Sequence, residues 1–162
     1  EHLYERGHRR IGITGTYKIG GKALYDRLRG YKDTIRQLGL QPMLPEESGN
    51  QSSKLRGRLQ FEELLALAEP PTAIYATSDL AAFGAYEVAR ERKVVIPQEL
   101  AIVGNDNYPS CEHVLPPLSS IAQPLYVAGQ EAVKILMSAI SGENTQPQKI
   151  TLPPKLIVRG SS

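Results

Sequence analysis

The sequence predicts an α/β fold with a mainly parallel sheet. Three observations carry this. Short apolar runs such as IGITG and LAIVG read as strands buried on both faces, stretches with apolar residues three and four apart read as helices, and the two kinds alternate along the chain. Connections between parallel neighbours then run as right-handed crossovers.

The opening EHLYERG reads as the last turns of a helix that Gly7 stops, because glycine takes the left-handed C′ position at little cost and the cations after it complement the helix end. That helix has no capped start, no initiator methionine and no signal-peptide pattern, so a longer protein is expected upstream of Glu1. Arg6, His8, Arg9 and Arg10 read as a solvated loop. Ile11–Gly15 is the first buried strand. Leu24, Leu28, Tyr31, Ile35 and Leu38 form the apolar stripe of a helix that Gly39 ends. Pro42–Pro45 suits a short edge strand, since proline is tolerated there, and residues 48–53 suit a loop. Leu55, Leu59, Leu64 and Leu65 mark a second helix, closed by Pro70 and Pro71. Thr72–Thr77 is the next strand, and Leu80–Val88, with Ala81 and Ala85, a third helix. Leu100–Gly104 and Ser119–Gln123 are further strands. Leu125, Ala128, Ala132, Val133, Leu136 and Ile140 mark a last helix, and Lys155–Arg159 a terminal strand.

Composition narrows the function classes. The chain has 162 residues, 41% hydrophobic and 22% charged, and no apolar run long enough to span a bilayer, which predicts an ordinary soluble protein with no membrane partner. The single cysteine, Cys111, excludes an internal disulfide framework and any CxxC metal or redox site, and fits a cytoplasmic protein. A net charge of +2 is too small for a phosphate-neutralising surface, so any contact with DNA belongs to another segment.

In open parallel sheets ligands bind beyond the carboxyl ends of the strands. The residues there are Thr14, Gly15, Thr16 and Tyr17 after the first strand, Thr77, Ser78 and Asp79 after the second, Asn105, Asp106 and Asn107 after the third, and Gln123 and Pro124 after the fourth. Repeated hydroxyl, amide and carboxylate groups at one edge suit a small polar ligand. Each also has a plainer reading. Ser78 or Asp79 can cap the helix that starts there, and GNDN can serve as a turn. Arg27 is out of phase with its helix stripe, so it is either solvated or a fork aimed at the strand ends.

Two catalytic readings are weak. Cys111 and His113 lack a third, orienting group. Gly15–Lys22 (GTYKIGGK) sits where a phosphate-cradling loop would, but it has one residue too many before the Gly21–Lys22 pair. Ala23 also stands where that motif needs a hydroxyl for Mg²⁺. No catalytic residue, cofactor or metal ligand is predicted.

Several stretches together resemble a known family: GHRRIGITG (Gly7–Gly15), RLRGY (Arg27–Tyr31), PTAIYATSDLAAFGA (Pro71–Ala85), VIPQELAIVGNDN (Val95–Asn107), LPPLSSIAQPLYVAGQEAV (Leu115–Val133) and LPPKLIVRGSS (Leu152–Ser162). They are similar, in order and over nearly the whole chain, to the effector-binding domain of bacterial transcription regulators of the lactose-repressor and galactose-repressor type.

The resemblance implies a periplasmic-binding-protein-like fold of type I, with helices on both faces of the sheet and most of the chain in the C-terminal subdomain. Residues 1–7 would end a helix of the N-terminal subdomain, and residues 8–118 would form the C-terminal one. Residues 119–148 would cross to the N-terminal subdomain as a strand and a helix, and residues 149–162 would return. It implies that Arg27, Ser78, Asp106 and Gln123 hold a small polar effector, with a sugar as the leading expectation, and with a contribution near Ser52. Position 52 has no aromatic ring to stack on a sugar, and Tyr17 or Tyr108 is the available substitute. Arg27 is thereby read as the fork. The same resemblance implies a homodimer through Phe83, Val114 and Leu115, and operator DNA bound by an N-terminal helix-turn-helix absent from this chain. The expected function is a regulator's ligand sensor, a repressor working allosterically through the dimer and not an enzyme. The alternatives are a periplasmic solute-binding protein, then an enzyme using Cys111 or the Gly15 loop.

Overall fold

The apolar runs read as strands assemble into one sheet. A computed structural model describes residues 1–16, 21–46, 49, 51–143 and 146–162. In chain order the elements are α1 (His2–Glu5), β1 (Ile11–Thr14), α2 (Lys22–Gln37), α3 (Ser53–Leu65), β2 (Ala73–Ala76), α4 (Asp79–Arg92) and β3 (Ala101–Asn105). A 3-10 turn (Pro109–Glu112), β4 (Ser119–Ala122), α5 (Leu125–Ile140) and β5 (Lys155–Ile157) complete the described set. The five strands lie in the order β1-β2-β3-β4-β5, parallel up to β4, with β5 antiparallel at the edge. The Pro42–Pro45 segment contributes only a single parallel bridge, Met43 to Gly12.

Side-chain alternation along each strand feeds two cores, one on each face. Ile11, Ile13, Ala73, Ala101 and Val103 pack with Leu3 of α1 and with Tyr31 and Ile35 of α2. Ile74, Ala76 and Ile102 pack with Phe61 and Leu64 of α3 and with Ala81, Ala85 and Val88 of α4. Tyr31 fixes α2 to the sheet by donating from its hydroxyl to the Ile11 carbonyl at 2.7 Å, and burial pushes its phenol up to about 12.

The third face-forming helix departs from its sequence reading. Leu55 and Leu59 are exposed, and the buried side of α3 is Arg56, Gly57, Gln60, Phe61 and Leu64. The reason is the α3–α4 crossing. A Cβ on Gly57 would run into the backbone of Ala81, and one on Gly84 into the carbonyl of Lys54, so the backbones meet where no side chain fits. That close approach turns the polar residues flanking Gly57 inward, beneath the strand ends.

The second half of the chain departs from the expectation at one strand and leaves the helix after it uncovered. Residues 119–122, expected to cross over with the helix after them, pair parallel with β3 in this same sheet. None of the residues of α5 is buried, and its Leu125, Tyr126, Val133, Leu136, Met137 and Ile140 are all exposed. Beyond β5, Ser161 accepts the Ile102 N–H on its carbonyl at 2.7 Å and donates from its hydroxyl to the Ile102 carbonyl at 2.6 Å, extending pairing past the strand. No helix among the described residues is long and apolar enough to cross a membrane.

Candidate ligand site at the strand exits

Parallel strands β1 to β4 all end at one edge, so four separate loops deliver polar groups to one place. Asp106, just past β3, is the hub. Its Oδ1 accepts from Nη2 of Arg27 at 3.3 Å, from Nδ2 of Asn105 at 2.8 Å and from Nε2 of Gln123 at 2.9 Å. Among the described residues no hydrogen bond ends on its Oδ2. Arg27 reaches across from α2 and also donates from Nη1 to the Thr77 carbonyl at 2.6 Å, so its guanidinium is clamped between the exits of β2 and β3. The fork reading of Arg27 is the one that matches this geometry. Arg27 and Asp106 are 26% and 21% exposed at their side chains, held in place yet open to a ligand. Tyr75 lies beneath them, and burial pushes its phenol up to about 12.

The turn carrying Asp106 is unusual. Asp106 has φ 118° and Asn107 φ 56°, both in the left-handed half that side chains other than glycine rarely take. Asn107 donates its N–H to the Ser120 hydroxyl oxygen at 3.0 Å, and Arg159 donates from Nη2 to the Asn107 side-chain oxygen at 2.9 Å.

On the other side of Arg27 is a crevice of about 240 Å³, lined by Gly15, Gly21, Ala23, Leu24, Arg27, Ser53, Arg56, Thr77 and Ser78. Ser78 combines two parts. Its Oγ accepts from the Ala81 N–H at 3.2 Å as the cap of α4, while the side chain also faces the crevice. Ser52 caps α3, accepting from the Leu55 N–H at 3.4 Å, and its neighbour Ser53 is the residue that lines the crevice. Tyr17 falls outside the described residues.

Sequence reasoning passed over two members of this edge. Gln60, 1% exposed, accepts the N–H groups of Gly15 and Thr16 at 2.7 and 3.0 Å and donates from Nε2 to the Thr16 carbonyl at 2.8 Å, fixing the exit of β1. Arg56, 5% exposed, donates from Nη1 to the Gly15 carbonyl at 3.4 Å. The signal was present as polar residues on the same side of α3 as Phe61 and Leu64, but Leu55 and Leu59 drew the stripe to the wrong side.

A larger void of about 490 Å³ lies under the sheet edge between α1, α2 and the strands. Its walls are mostly apolar, including Leu3, Ile11, Tyr31, Val103, Ile121 and Leu156, and it meets the polar edge only at Arg27. The convergent polar groups make the strand exits the candidate site. No group of three or more His, Cys, Asp or Glu side chains suited to a metal occurs among the described residues. Cys111 is fully buried, and burial with the Asp79 carboxylate beside it pushes its thiol up to about 12, which leaves a poor nucleophile.

Of the three residues expected at a dimer interface, Leu115 is 87% exposed, whereas Phe83 and Val114 are half-buried against the α3–α4 core.

The periplasmic binding protein-like domain family matches residues 1–162. The chain is 33% identical over 162 residues to the HTH-type transcriptional repressor CytR of Escherichia coli (strain K12), covering 99% of this chain and 47% of that protein. Among solved structures, a regulatory protein of the LacI family from Chloroflexus aggregans is 33% identical with a TM-score of 0.87, over 99% of this chain and 57% of that one. A LacI-family transcriptional regulator from Enterococcus faecium, with bound ribose, is 28% identical with a TM-score of 0.83, over 99% of this chain and 59% of that one. The chain thus spans about half the length of the curated relatives it matches, and those relatives are transcriptional regulators, not enzymes. By the match along its whole length and by its fold, the chain belongs to the periplasmic binding protein-like domain family.

Proposed function

We propose that this chain forms much of the sensing module of a repressor, binding a small hydroxylated effector, a sugar, at the strand exits. Arg27, Asp106 and Gln123 carry the recognition, and Ser78 and the α3 start at Ser52 border it. The single observation behind this reading is the convergence on Asp106 Oδ1 of donors from α2, β3 and the β4 exit. Three donors orient the carboxylate, and its second oxygen remains to accept from a ligand hydroxyl while unused N–H groups of Arg27 donate to the neighbouring one. The ribose bound by the Enterococcus faecium regulator supports a sugar.

The sensor reading includes an allosteric step. The effector is gripped between this subdomain and a second one, and favours one orientation of the two. Residues 8–118 make up the larger part of the subdomain described here and residues 149–162 return to it. Within 119–148, α5 is the part available to the second subdomain, because residues 119–122 pair with β3. Phe83, Val114 and Leu115 face a second copy in a homodimer, and operator DNA is bound by a helix-turn-helix outside this chain. Coupling of this kind is worth ~1–3 kcal/mol and is reciprocal between effector and DNA.

The test is a thermal-shift screen of neutral pentoses, hexoses and disaccharides, beginning with ribose, followed by Arg27→Ala and Asp106→Ala in the full-length regulator. Both variants are expected to lose the ligand-induced shift and the ligand's effect on operator affinity while operator binding itself persists. An undiminished response from both removes these residues from the site.

A further inference from the structure

The last residues of the chain grip the loop that follows Asp106. Beyond β5, the Arg159 N–H donates to the Ser119 hydroxyl oxygen at 2.8 Å, and the Ser119 N–H donates to the Ser161 hydroxyl oxygen at 2.8 Å, so this tail is fastened to the start of β4. Gly160 passes so close to the loop that a Cβ there would lie 3.1 Å from Cβ of Pro116. From this anchored backbone the Arg159 side chain, 14% exposed, spans the loop. Nη1 donates to the Leu118 carbonyl at 2.9 Å, at the far end, and Nη2 to Oδ1 of Asn107 at 2.9 Å, at the near end. Nη2 also donates to Oε1 of Glu112 at 3.2 Å, an exposed carboxylate between the two. One guanidinium thus draws residues 107–118 into a closed ring.

Asn107 is the point at which this ring bears on the candidate site. Asp106 and Asn107 have φ 118° and 56°, and such conformations in residues other than glycine persist only where the surroundings over-determine them. Asp106 is held on one side by its own N–H, which donates to the Ile121 carbonyl at 2.9 Å. On the other side stand the Asn107 N–H bond to Ser120 and the Asn107 side-chain bond to Arg159. Holding the turn from both sides gives the Cα–Cβ bond of Asp106 one direction. That direction places Oδ1 where Arg27, Asn105 and Gln123 converge on it. Only a planar fork can donate to acceptors at both ends of the loop at once, and a lysine ammonium is too compact to do so.

We infer that Arg159 is a positioning residue for the site: through Asn107 it holds the turn that aims the Asp106 carboxylate. Its consequence for effector affinity rests on the sensor reading above, whereas the aim of the carboxylate does not.

Two readouts on the full-length regulator test this. The first needs no ligand: the side-chain amide NMR signals of Asn105 and Gln123, both of which donate to Asp106 Oδ1, report where that carboxylate lies. Arg159→Gln is expected to move both signals toward those of solvated amides, and Arg159→Lys to move them as well. Asn107→Gly is expected to give the same displacement, because glycine takes the positive φ without strain while the side-chain tie is gone. Adding Arg159→Gln to Asn107→Gly moves the signals no further, since the two residues act in series. Glu112→Gln removes only the exposed ion pair and leaves the signals in place. The second readout is calorimetric titration with ribose, in which Arg159→Gln weakens binding about tenfold, the effect of misaligning one hydrogen bond to a charged group. Urea midpoints of the unliganded variants are followed alongside.

A lowered urea midpoint with both amide signals unmoved would make Arg159 a purely structural residue and overturn the inference. Additive displacements from Arg159→Gln and Asn107→Gly would overturn it too. Should Arg159→Gln fail to fold, Asn107→Gly breaks the same contact, and unmoved signals in that variant decide against the inference. Displaced signals with ribose affinity unchanged, or with no ribose binding in the parent, would leave the positioning role standing and count against the sensor reading instead.

Discussion

The Asp79 carboxylate, in the first turn of α4, accepts a hydrogen bond from the backbone N–H of Tyr108 at 2.8 Å, tying the start of one helix to the loop that presents Asp106. Its other oxygen accepts from the Ser120 hydroxyl at 2.6 Å, and the same Ser120 oxygen accepts the Asn107 N–H at 3.0 Å. One fully buried carboxylate thus restrains both residues that follow Asp106. This restraint matters because Asp106 and Asn107 hold positive φ without being glycine.

Replacing Asp79 with alanine leaves a part-buried N–H and a buried hydroxyl without their acceptor, and the expected loss is about 2–4 kcal/mol of unfolding free energy. Urea denaturation measures it, and amide exchange at Asn107 and Tyr108 locates it. Unchanged exchange at those two amides in Asp79→Ala would show that the turn stands without this restraint.

Much of this architecture is legible in the sequence because it is written in local patterns. Buried parallel strands need unbroken apolar runs, and the runs at 11–14, 73–76 and 101–105 became strands at the expected places. The candidate residues were legible for a related reason: a parallel sheet delivers its strand exits to one edge, so Asp106 and Gln123 could be grouped without knowing any distance, whereas Arg27, on a helix, joined them through the family resemblance. What was hidden is tertiary. Nothing local says that Gly57 and Gly84 let two backbones touch, and without that crossing Arg56 and Gln60 look solvated while Leu55 and Leu59 look buried. Likewise Asp79 reads as a helix cap until β4 brings Ser120 beside it.

The same crossing makes a sharp mutational test. Gly84→Ala places a methyl group against the Lys54 carbonyl and the Arg58 amide nitrogen, backbone atoms that cannot rotate away. The helices must separate, opening the core around Phe61 and Ala85, at an expected cost of about 2–3 kcal/mol despite alanine's better helix propensity. Gly30→Ala is the control, since a Cβ there meets nothing within 4 Å. It is expected to hold or slightly raise the urea midpoint. Equal midpoints for the two variants would argue against close packing at the crossing.

Stability should fall on the acid side through the histidines near the α1 end of the molecule. Burial, with the neighbouring His2, holds His8 below its ordinary pKa, and its Nδ1 lies 3.0 Å from the Thr72 hydroxyl oxygen. Burial and then Arg6 lower His2, whose Nε2 lies 3.1 Å from the Ser162 hydroxyl oxygen. With the folded pKa depressed, the unfolded chain takes up protons first as pH falls. The contribution is therefore complete above the ordinary histidine pKa of about 6.5, and declines as pH drops through and below that value toward the folded pKa. Urea midpoints measured on either side of that window should show the decline in the parent protein and a shallower one in a His2→Asn, His8→Asn double variant. An identical slope in both would assign the acid sensitivity to other groups.

Helix α5 yields the prediction with the largest expected signal. Leu125, Tyr126 and Ile140 are each at least two-thirds exposed, at 68%, 79% and 70%, and Val133, Leu136 and Met137 are more than half exposed. None of its residues joins either core cluster. A contiguous apolar helix face of this kind is energetically unfavourable in water at roughly 25 cal/mol per Å² of apolar surface, which favours any association that covers it. The 162-residue chain is accordingly expected to self-associate, with sedimentation velocity showing species larger than the monomer and a concentration-dependent distribution. Val133→Lys with Met137→Lys puts two cations on that face at helical spacing and should shift the distribution to monomer. Because α5 lies apart from both cores, the same pair should leave the urea midpoint of the monomer nearly unchanged. A parent chain that sediments as a single monomer at all concentrations would mean that the exposed face is tolerated in water, and would remove the reason for assigning α5 to a partner subdomain.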